Sequence, residues 1–477
     1  MLANIPKENL ETLDSIDITL NISDYERYLL KNKENIISVQ AGNLENNIQS
    51  RSVMERILPP KIDKDTIVPD IYLVCIGVSD YNGQAIDLSY ADKDAEDIMG
   101  ALYIAAGRFL GKEKVHSYLL TNPKSGSTDY TKVSTASKDT ILAVLNHIEA
   151  KAKAEDIVII YFSGHGLKIT SEDKTSDFYY LTAEADSNEP DAYTKWPSFR
   201  NKKTIKGAEI SAILNKIPAN KQVLIIDACH SGKIVDNFSA SRNLSPSTMR
   251  ALSRMQDRTG IHIISGSSAD KSSYESSQYA QGFLTYSLLE GIKGNALRES
   301  QFIDISTLFA YAEDRVPELA KENGGIQKPL RYSPYYEERF PNGGMSFDVG
   351  QLTPEDRAKI KISQAKPVFL MSNIRKQGAN PYDELRLNLK IDEQFRELTA
   401  KGKAAPLVFW ENVRELDNAY TLYGEYSLDN ENILFTGNII KNGKVIYTFQ
   451  TNSSKDQLDI FIEEITREII KALENED

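Results

Sequence analysis

The sequence contains few cysteines and no long apolar run, and each of these absences excludes a class of protein. Two cysteines occur in 477 residues, too few for a disulfide framework, which a chain of this length does not need. No apolar run reaches the roughly 18 residues of a membrane-spanning helix. The N-terminal stretch MLANIPKENLETLDSID has no basic segment followed by an apolar one, as a secretory signal would have. We therefore expect a cytoplasmic protein with no membrane span.

Positive charge is also in deficit. The formal net charge is -12 at pH 7, and the isoelectric point is about 5.2. Nucleic acids and anionic membranes bind proteins that offer a local excess of lysine and arginine. The composition therefore argues against both partners, whereas it suits a basic peptide as ligand.

Changes of pattern divide the chain into four segments. Residues 1–66 are polar and weakly periodic, which favours a loosely packed extension, partly helical around Ser23–Lys33. The alternative is a pro-segment that occludes the active site. Residues 67–340 alternate strands with helices, and residues 341–355 are rich in Pro, Gly and Asp, which predicts a linker. Residues 356–477 have the pattern of a second, small α/β domain.

The segment 67–340 contains continuous apolar runs between amphipathic stretches. Strands that are covered on both faces are apolar throughout, and such strands alternating with helices indicate a mostly parallel sheet flanked by helices. The predicted strands are Ile71–Val78, Val115–Thr121, Ile157–Phe162, Val223–Ile226 and Ile261–Ser265. The predicted helices are Tyr90–Ala106, one that Ser137 caps, Gly207–Ile217, Phe283–Ile292 and Ile305–Ala320.

Two of the apolar runs end in glycine-flanked polar motifs. One runs into YFSGHG, which holds His165, and the other into DACHSG, which holds Cys229. Ligands of a parallel α/β sheet bind beyond the carboxyl ends of its strands. A cysteine thiol is mostly protonated at neutral pH, so a neighbouring imidazole is needed to raise the thiolate fraction and to protonate the leaving amine. The pair predicts acyl transfer, with Cys229 as nucleophile and His165 as base.

The glycines around His165 fit the same chemistry. Gly164 and Gly166 have no Cβ, so the backbone of a substrate can approach them closely. The N–H of Cys229, together with that of Gly166 or Gly164, would form an oxyanion hole. His230 is the less favourable base, because adjacent residues at a strand end point to opposite faces.

At these motifs the chain resembles the caspase and metacaspase clan of cysteine peptidases. DACHSG is the metacaspase-like form of the nucleophile motif, since no Gln-Ala-Cys stands here. The resemblance spans about residues 69–332 and includes IYLVCIGVSDY, LSYADKDAEDI and GFLTYSLLEGI. It implies a caspase-like fold and an endopeptidase that works through a thioester acyl-enzyme. It also implies a setting, because bacterial members of the clan occur in defence and cell-death systems.

The resemblance also suggests the specificity. Animal caspases use arginines to bind Asp at P1, and that arginine pattern is missing here, whereas metacaspases use acids to bind Arg or Lys. Asp94 and Asp227 stand at the matching positions, and Ser163 is a further candidate for the pocket. A cationic side chain needs a buried counter-charge, which supports this assignment. The alternatives are that Asp94 stabilises a helix N-terminus and that Asp227 orders the catalytic loop.

Self-processing and calcium are two further features that the family suggests. The stretch 233–258 between the two halves of the domain carries four arginines that are candidate cleavage sites: Arg242, Arg250, Arg254 and Arg258. The alternative interpretation of this stretch is a solvated loop with a short helix. No cofactor is expected. Calcium activates some metacaspases, and Asp236 matches one acid of their site, but no other acid aligns within 171–191. We therefore predict no metal ligands.

The C-terminal segment resembles the small α/β domain at the N-terminus of TolB-type proteins. An Asn442-Gly443 pair predicts a hairpin, and a terminal amphipathic helix follows with Ser454 as its cap. The segment contains neither Cys nor His, so we interpret it as a module for a regulatory protein partner. Two alternatives to a caspase-like peptidase stay open: a catalytically silent caspase-like adaptor, and a separase-like or CHAT peptidase with the same Cys and His logic.

Overall fold

The computed structural model describes residues 21–31, 35–39, 53–57, 68–83, 86–121, 133–170, 176–186, 192–228, 261–266, 278–323, 325–332, 346–378, 382–401, 404–411, 416 and 418–474. Up to residue 359 the strands are, in chain order, β1 (Asn35–Val39), β2 (Val53–Ile57), β3 (Ile71–Gly77), β4 (Val115–Leu120), β5 (Val133–Ser134), β6 (Ile157–Ser163), β7 (Gly166–Thr170), β8 (Ser176–Leu181), β9 (Thr204–Lys206), β10 (Lys221–Asp227), β11 (His262–Ser265), β12 (Phe302–Asp304), β13 (Leu330–Tyr332) and β14 (Asp348–Gln351).

The helices of the same part are α1 (Ala91–Leu110), α2 (Lys138–Lys151), α3 (Ala192–Lys195), α4 (Pro197–Lys203), α5 (Gly207–Leu214), α6 (Phe283–Glu290), α7 (Ile305–Glu322) and α8 (Pro354–Lys359). The predicted capping of α2 is confirmed, because the Ser137 side chain accepts a hydrogen bond from the N–H of Thr140. α6 continues into a π-helical turn at Gly291–Asn295.

A seven-stranded sheet forms the centre, in the order β13-β11-β10-β6-β3-β4-β5. Every neighbouring pair is parallel except β11 and β13, which are antiparallel. The predicted fold class, a mostly parallel sheet with helices on both faces, is therefore confirmed. β6 lies between β3 and β10, in register with both, so the ends of β6 and β10 meet at the same edge.

The sheet separates two apolar cores, and alternate residues of β3 point into them. Val74 and Ile76 pack with α2 and α5 on one side, whereas Leu73 and Cys75 pack with α1, α6 and α7 on the other. Each fully buried aliphatic side chain contributes about 1.5–3 kcal/mol. This two-sided burial is the reason why these strands are apolar at every position, and it fixes the sheet edge that carries the polar motifs.

One part of the N-terminal arm contacts the residues that precede β6. The helical part expected near Ser23–Lys33 is a 3-10 helix, Ile22–Tyr28. The carbonyl oxygen of Arg27 accepts a hydrogen bond from Ala154 N–H, at 2.9 Å. The N–H of Lys31 donates to Glu155 at 3.0 Å. Ala154 and Glu155 precede β6, so these contacts lie at the strand's amino end, away from His165 at its carboxyl end.

The predicted linker 341–355 includes regular structure. β14 pairs with β12 in antiparallel fashion, and a Cβ on Gly350 would lie 2.5 Å from Cβ of Ala105 in α1, so only glycine allows this approach. α8 follows, and its Asp356 accepts a hydrogen bond from Arg108 at 3.0 Å. The chain therefore stays attached to the first unit past residue 355. Strand β14 is too short to show a period in the sequence.

The C-terminal unit comprises β15 (Val368–Leu370), β16 (Asn373–Lys376), α9 (Leu387–Ala400), β17 (Val408–Trp410), β18 (Tyr420–Asp429), β19 (Asn432–Lys441), β20 (Lys444–Ser454) and α10 (Leu458–Glu474). Its six strands form one sheet, and α9 and α10 pack against a shared apolar core with it. The predicted hairpin is confirmed, because Asn442 and Gly443 both have positive φ between β19 and β20. The predicted helix cap is not confirmed, since Ser454 makes no side-chain cap hydrogen bond.

Candidate active site

His165 follows β6 and is held by the segment that comes after β3. Its side chain is 3% exposed. Nε2 lies 2.7 Å from the carbonyl oxygen of Ile86, and the main-chain N–H of His165 donates to the hydroxyl of Tyr81 at 2.9 Å. The two rings are 5.2 Å apart between centroids. The same loop thus holds both the backbone and the imidazole.

The contact with Ile86 assigns the tautomer. A carbonyl oxygen only accepts hydrogen bonds, so Nε2 of His165 carries the proton when the ring is neutral. The basic lone pair is then on Nδ1. The arrangement is that of an imidazole oriented by a second group, as a general base in nucleophilic catalysis requires.

The two tyrosines that surround position 164 leave too little room for a side chain larger than that of glycine. Its φ is +148°, and a Cβ there would lie 3.0 Å from the hydroxyl oxygens of both Tyr81 and Tyr180. The Tyr180 hydroxyl donates to the carbonyl oxygen of Ser163 at 2.8 Å. Any larger residue at 164 would displace the tyrosine hydroxyl that receives the His165 N–H.

The end of β10 lies directly beside that of β6. Ser163 pairs with Asp227, and the N–H of Gly164 donates to the carbonyl oxygen of Asp227 at 3.3 Å. A Cβ on Gly166 would lie 2.7 Å from the carbonyl oxygen of Ala228. The chain therefore brings the residue before Cys229 against the glycine after His165, as the strand-end argument predicted. Cys229 itself and His230 lie outside the described residues.

The main-chain N–H of Gly166 points away from β8. β7 and β8 are antiparallel, with Gly166 opposite Tyr180, and the preceding pair is hydrogen-bonded, since Leu181 N–H donates to His165 O at 3.0 Å. Hydrogen-bonded and non-hydrogen-bonded pairs alternate along such a ladder. Gly166 is therefore in a non-hydrogen-bonded pair, whereas the N–H of Gly164 is used by Asp227.

Cys75 is the structural cysteine. It is 1% exposed within β3, and burial raises the pKa of its thiol. A thiol that resists ionisation is a poor nucleophile. Of the two cysteines in the sequence, Cys229 is therefore the candidate for chemistry.

The three residues predicted for the P1 pocket are brought together beneath the strand ends. Asp94, Ser163 and Asp227 are each 3% exposed. The Ser163 hydroxyl lies 3.5 Å from Oδ2 of Asp94. The position of a Cβ on Gly282 would be 2.5 Å from Oδ2 of Asp227 and 3.3 Å from Oδ2 of Asp94. The two carboxylates are therefore close neighbours, and the absence of a Cβ on Gly282 allows both to approach its main chain.

The ionisation of Asp94 depends on its burial and on its neighbour Asp227. Burial first, and the charge of Asp227 second, raise the pKa of Asp94 well above its ordinary value. A like-charged buried pair destabilises a fold and is a frequent mark of a functional site. A bound cation would relieve the repulsion.

The sequence did not indicate that groups at the start of α6 donate hydrogen bonds to Asp94 and Asp227. The N–H of Gly282 donates to Asp94 at 3.1 Å. Thr285 donates its N–H and its hydroxyl to Oδ2 of Asp227, at 3.2 and 2.6 Å. The Thr285 hydroxyl has one proton, so it accepts from Tyr161, 2.6 Å away. The stretch GFLTYSLLEGI was noted for resemblance, but nothing in its pattern indicated these contacts.

Capping of α6 explains only part of this arrangement. Carboxylates that accept N–H groups stabilise a helix N-terminus, and one acid suffices for that. Here two are used, and Oδ1 of each has no hydrogen-bond partner within the part of the chain that is described. These two oxygens are therefore not used by the capping of α6. The alternative for Asp94, a role at the N-terminus of its own helix α1, is weakened because it points to Gly282.

Several candidates of the sequence analysis cannot be located. The arginines of 233–258 and Asp236 lie outside the described residues. Among the acids of 171–191, Glu184 accepts from the N–H of Lys138 at 2.8 Å, and Asp186 pairs with Lys203 at 3.4 Å. In the described ranges, no group of three or more His, Cys, Asp or Glu side chains could hold a metal ion.

Comparison with known proteins points in one direction. The family model of the caspase domain matches residues 72–340, more than half of the chain. No curated protein matches the sequence. The crystal structure of protein GSU0716 from Geobacter sulfurreducens is 17% identical, covers 57% of this chain and 95% of that chain, and has a TM-score of 0.35, too low to carry an argument. Of the helices described, none has the length and apolar character to cross a membrane.

Proposed function

Because the chain belongs to the caspase-domain family, we propose that it is a cysteine endopeptidase with a Cys229–His165 dyad. The observation that supports this most directly is the hydrogen bond from His165 Nε2 to the oxygen of Ile86. It puts the basic lone pair on Nδ1 of a residue that ends one strand, while the neighbouring strand leads into Cys229. These are the two requirements of an activated thiol: a base of the correct tautomer, and proximity.

The proposed reaction has two halves. Nδ1 of His165 takes the proton of the Cys229 thiol, and the thiolate attacks the carbonyl carbon of the scissile peptide bond. The tetrahedral intermediate collapses to a thioester as the imidazolium gives its proton to the leaving amine. A water molecule then loses a proton to His165 and attacks the thioester, which releases the new carboxyl end and restores the thiol.

The oxyanion of the tetrahedral intermediate needs main-chain donors. We assign this role to the N–H groups of Gly166 and Cys229. Gly166 is favoured over Gly164 because the Gly164 N–H already donates to Asp227, whereas the Gly166 N–H points away from β8. Two fixed donors aimed at the developing charge lower the barrier without reorganisation.

The proposed P1 residue is basic. Asp94, Ser163 and Asp227 form a buried acidic group, and two of its carboxylate oxygens lack partners in the described chain. An Arg or Lys side chain would supply both the missing donors and the missing positive charge. An Asp side chain at P1 would add a third negative charge to the group, so cleavage after Asp is not expected.

The decisive experiment is hydrolysis of matched peptides with Arg, Lys, Asp or Ala at P1. Wild-type protein should cleave the Arg and Lys peptides, and Cys229→Ala or His165→Ala should lower kcat/KM by about 10⁴-fold or more. Cys75→Ala serves as the matched cysteine control and should retain activity. Absence of turnover of any peptide, with no labelling of Cys229 by an electrophilic Arg peptide, would favour the silent adaptor instead.

Self-processing within 233–258 belongs to the same proposal. Arg242, Arg250, Arg254 and Arg258 carry the P1 residue that the acidic group would accept. On prolonged incubation, wild-type protein should be cleaved at one of these arginines, so that fragment masses replace the intact mass. The Cys229→Ala variant should keep its intact mass. A wild-type mass that does not change while the enzyme is active would contradict it.

The C-terminal unit is proposed as a TolB-like module for a regulatory protein partner. Its sheet has α9 and α10 on one face, and the segment has neither Cys nor His, so it is unsuited to catalysis of this kind. Point variants on the opposite face, such as Tyr423→Ser, should leave peptide hydrolysis unchanged and weaken partner binding in a pull-down from the native cell. Loss of peptide hydrolysis would contradict this role.

A further inference from the structure

Gln327 is a buried amide that the fold leaves without partners. It lies between α7 and β13 and is 2% exposed. Neither its Oε1 nor its Nε2 has a hydrogen-bond partner among the residues described. A buried amide in that state destabilises the folded protein. Its position therefore calls for an explanation other than stability.

The amide of Gln327 and one oxygen of the acidic group lie beside the same glycine, Gly266. A Cβ on Gly266 would lie 3.3 Å from Nε2 of Gln327 and 3.3 Å from Oδ1 of Asp227. Gly266 is held at this place by its N–H, which donates to Ile226 O at 3.0 Å. One oxygen of Asp227 is thus beside Gly282 and the other is beside Gly266. Both glycines, which have no Cβ, allow a carboxylate to approach their main chain closely, and the amide of Gln327 also lies beside Gly266.

We propose that Gln327 is a specificity-determining residue of the P1 pocket that selects Arg over Lys, an inference that rests on the proposed peptidase function. Its Nε2 and Oδ1 of Asp227 lie beside the same glycine, Gly266, and its Oε1 accepts a hydrogen bond from the substrate. With Oδ1 of Asp94 and Oδ1 of Asp227, the buried group then offers three acceptors. A planar guanidinium has five N–H donors spread over three nitrogens, whereas an ammonium concentrates three donors at one point.

The first measurement uses wild-type protein and two peptides that differ only in Arg or Lys at P1. The value of kcat/KM should be about tenfold or more higher for Arg, as expected for one additional hydrogen bond to a charged group. Inhibition by n-butylguanidine should likewise need a lower concentration than inhibition by n-pentylamine. Equal values for the two peptides would overturn the inference while leaving the peptidase function intact.

The second measurement uses Gln327→Met, which keeps the length of the side chain and removes its polar atoms. The Arg peptide should lose about tenfold in kcat/KM and the Lys peptide should change little. The melting temperature should stay or rise, because an unpartnered buried amide is removed. Ser117→Ala is the matched control: its hydroxyl is also buried without a partner, on β4, and its loss should not change the Arg-to-Lys ratio.

The outcomes separate the two proposals. If wild-type protein cleaves neither basic peptide, the proposed function fails. If it cleaves both and Gln327→Met retains the wild-type ratio, only the role of Gln327 fails. Should Gln327→Met not fold, equal wild-type values for the Arg and Lys peptides still overturn the inference.

Discussion

Nε2 of His165 donates to the carbonyl oxygen of Ile86 at 2.7 Å, and this bond fixes both the orientation of the ring and its tautomer. The main chain at His165 depends on a second contact from the same loop, with Tyr81. Because Ile86 acts through its backbone, a side-chain substitution there cannot remove the acceptor. Tyr81 is the residue through which the arrangement can be tested.

Tyr81→Phe removes the hydroxyl that accepts the His165 N–H. A buried N–H without an acceptor costs about 1–3 kcal/mol, so we expect a lower free energy of unfolding and a shifted imidazole. The value of kcat should fall about tenfold, with a smaller change in KM. Tyr193→Phe is the control: it removes a buried hydroxyl that donates to Asp186 O at 2.9 Å, and should lower stability alone. A Tyr81→Phe variant with wild-type kcat would contradict a positioning role.

Asp94 should make the stability of the protein fall as pH rises. Its pKa is raised well above 3.8 in the fold, by burial and then by Asp227, whereas the unfolded chain ionises near the ordinary value. Between the two values the native state holds a proton that the unfolded state has lost, so the free energy of unfolding decreases with pH. Urea unfolding at about pH 5 and about pH 8 should show this decrease, and Asp94→Asn should reduce it. Parallel profiles for the two proteins would count against the ionisation of Asp94.

The ionisation of Asp94 should also affect how kcat/KM depends on pH. In the proposed function a cationic P1 side chain binds the ionised form of Asp94, so kcat/KM for an Arg peptide should rise with pH through the raised pKa of that carboxyl. Asp94→Asn should lose this rise and about 100-fold in kcat/KM for Arg. The ratio of Arg to Ala peptides is the measurement, and a ratio unaffected by the substitution would remove Asp94 from the pocket.

The two cysteines should differ sharply in reactivity. Cys75 is 1% exposed, and burial raises the pKa of its thiol, so iodoacetamide should not modify it in folded protein. Mass spectrometry of briefly treated native protein should show a single adduct on Cys229, and His165→Ala should slow its formation. As a control, iodoacetamide should modify both cysteines in protein that is unfolded in urea. Rapid modification of Cys75 under native conditions would be inconsistent with the packing of β3.

A segment after β14 is tied through Gln281 to the proposed P1 pocket. This residue is fully buried, donates to Asp97 at 2.8 Å and accepts from the N–H of Ser363 at 3.2 Å. Its neighbour Gly282 holds Asp94. Gln281→Ala should therefore raise KM for an Arg peptide about tenfold, because loss of a buried hydrogen-bonding group moves the pocket wall.

Arg108→Met is the matched control for Gln281→Ala. It breaks the attachment of the same segment at Asp356, on the far end from the pocket, and should reduce thermal stability without raising KM. If both variants raise KM equally, the effect comes from general loosening of the segment and not from the contact of Gln281.

Local pattern was sufficient for the architecture of the first unit. The apolar runs that became β3, β6 and β10 are buried at nearly every position, and their helices follow from three- and four-residue spacing. Short elements escaped because they have too few residues to show a period. Strands β7 to β9, β12, β13 and β14 belong to this group, and β14 lies within the segment predicted as a linker.

Sequence alone determined that His165 and Cys229 follow two apolar strands, and that acids stand at positions 94 and 227. Only the tertiary structure decided what surrounds them: the oxygen of Ile86 on the imidazole, the hydroxyl of Tyr81, the N-terminus of α6 and the amide of Gln327. Gly282 and Asp94, which form one of these contacts, are 188 residues apart in the chain. Periodicity records which face of an element is buried, because neighbouring side chains share that constraint. It holds no information on which distant loop meets that face, since this depends on the path of the whole chain.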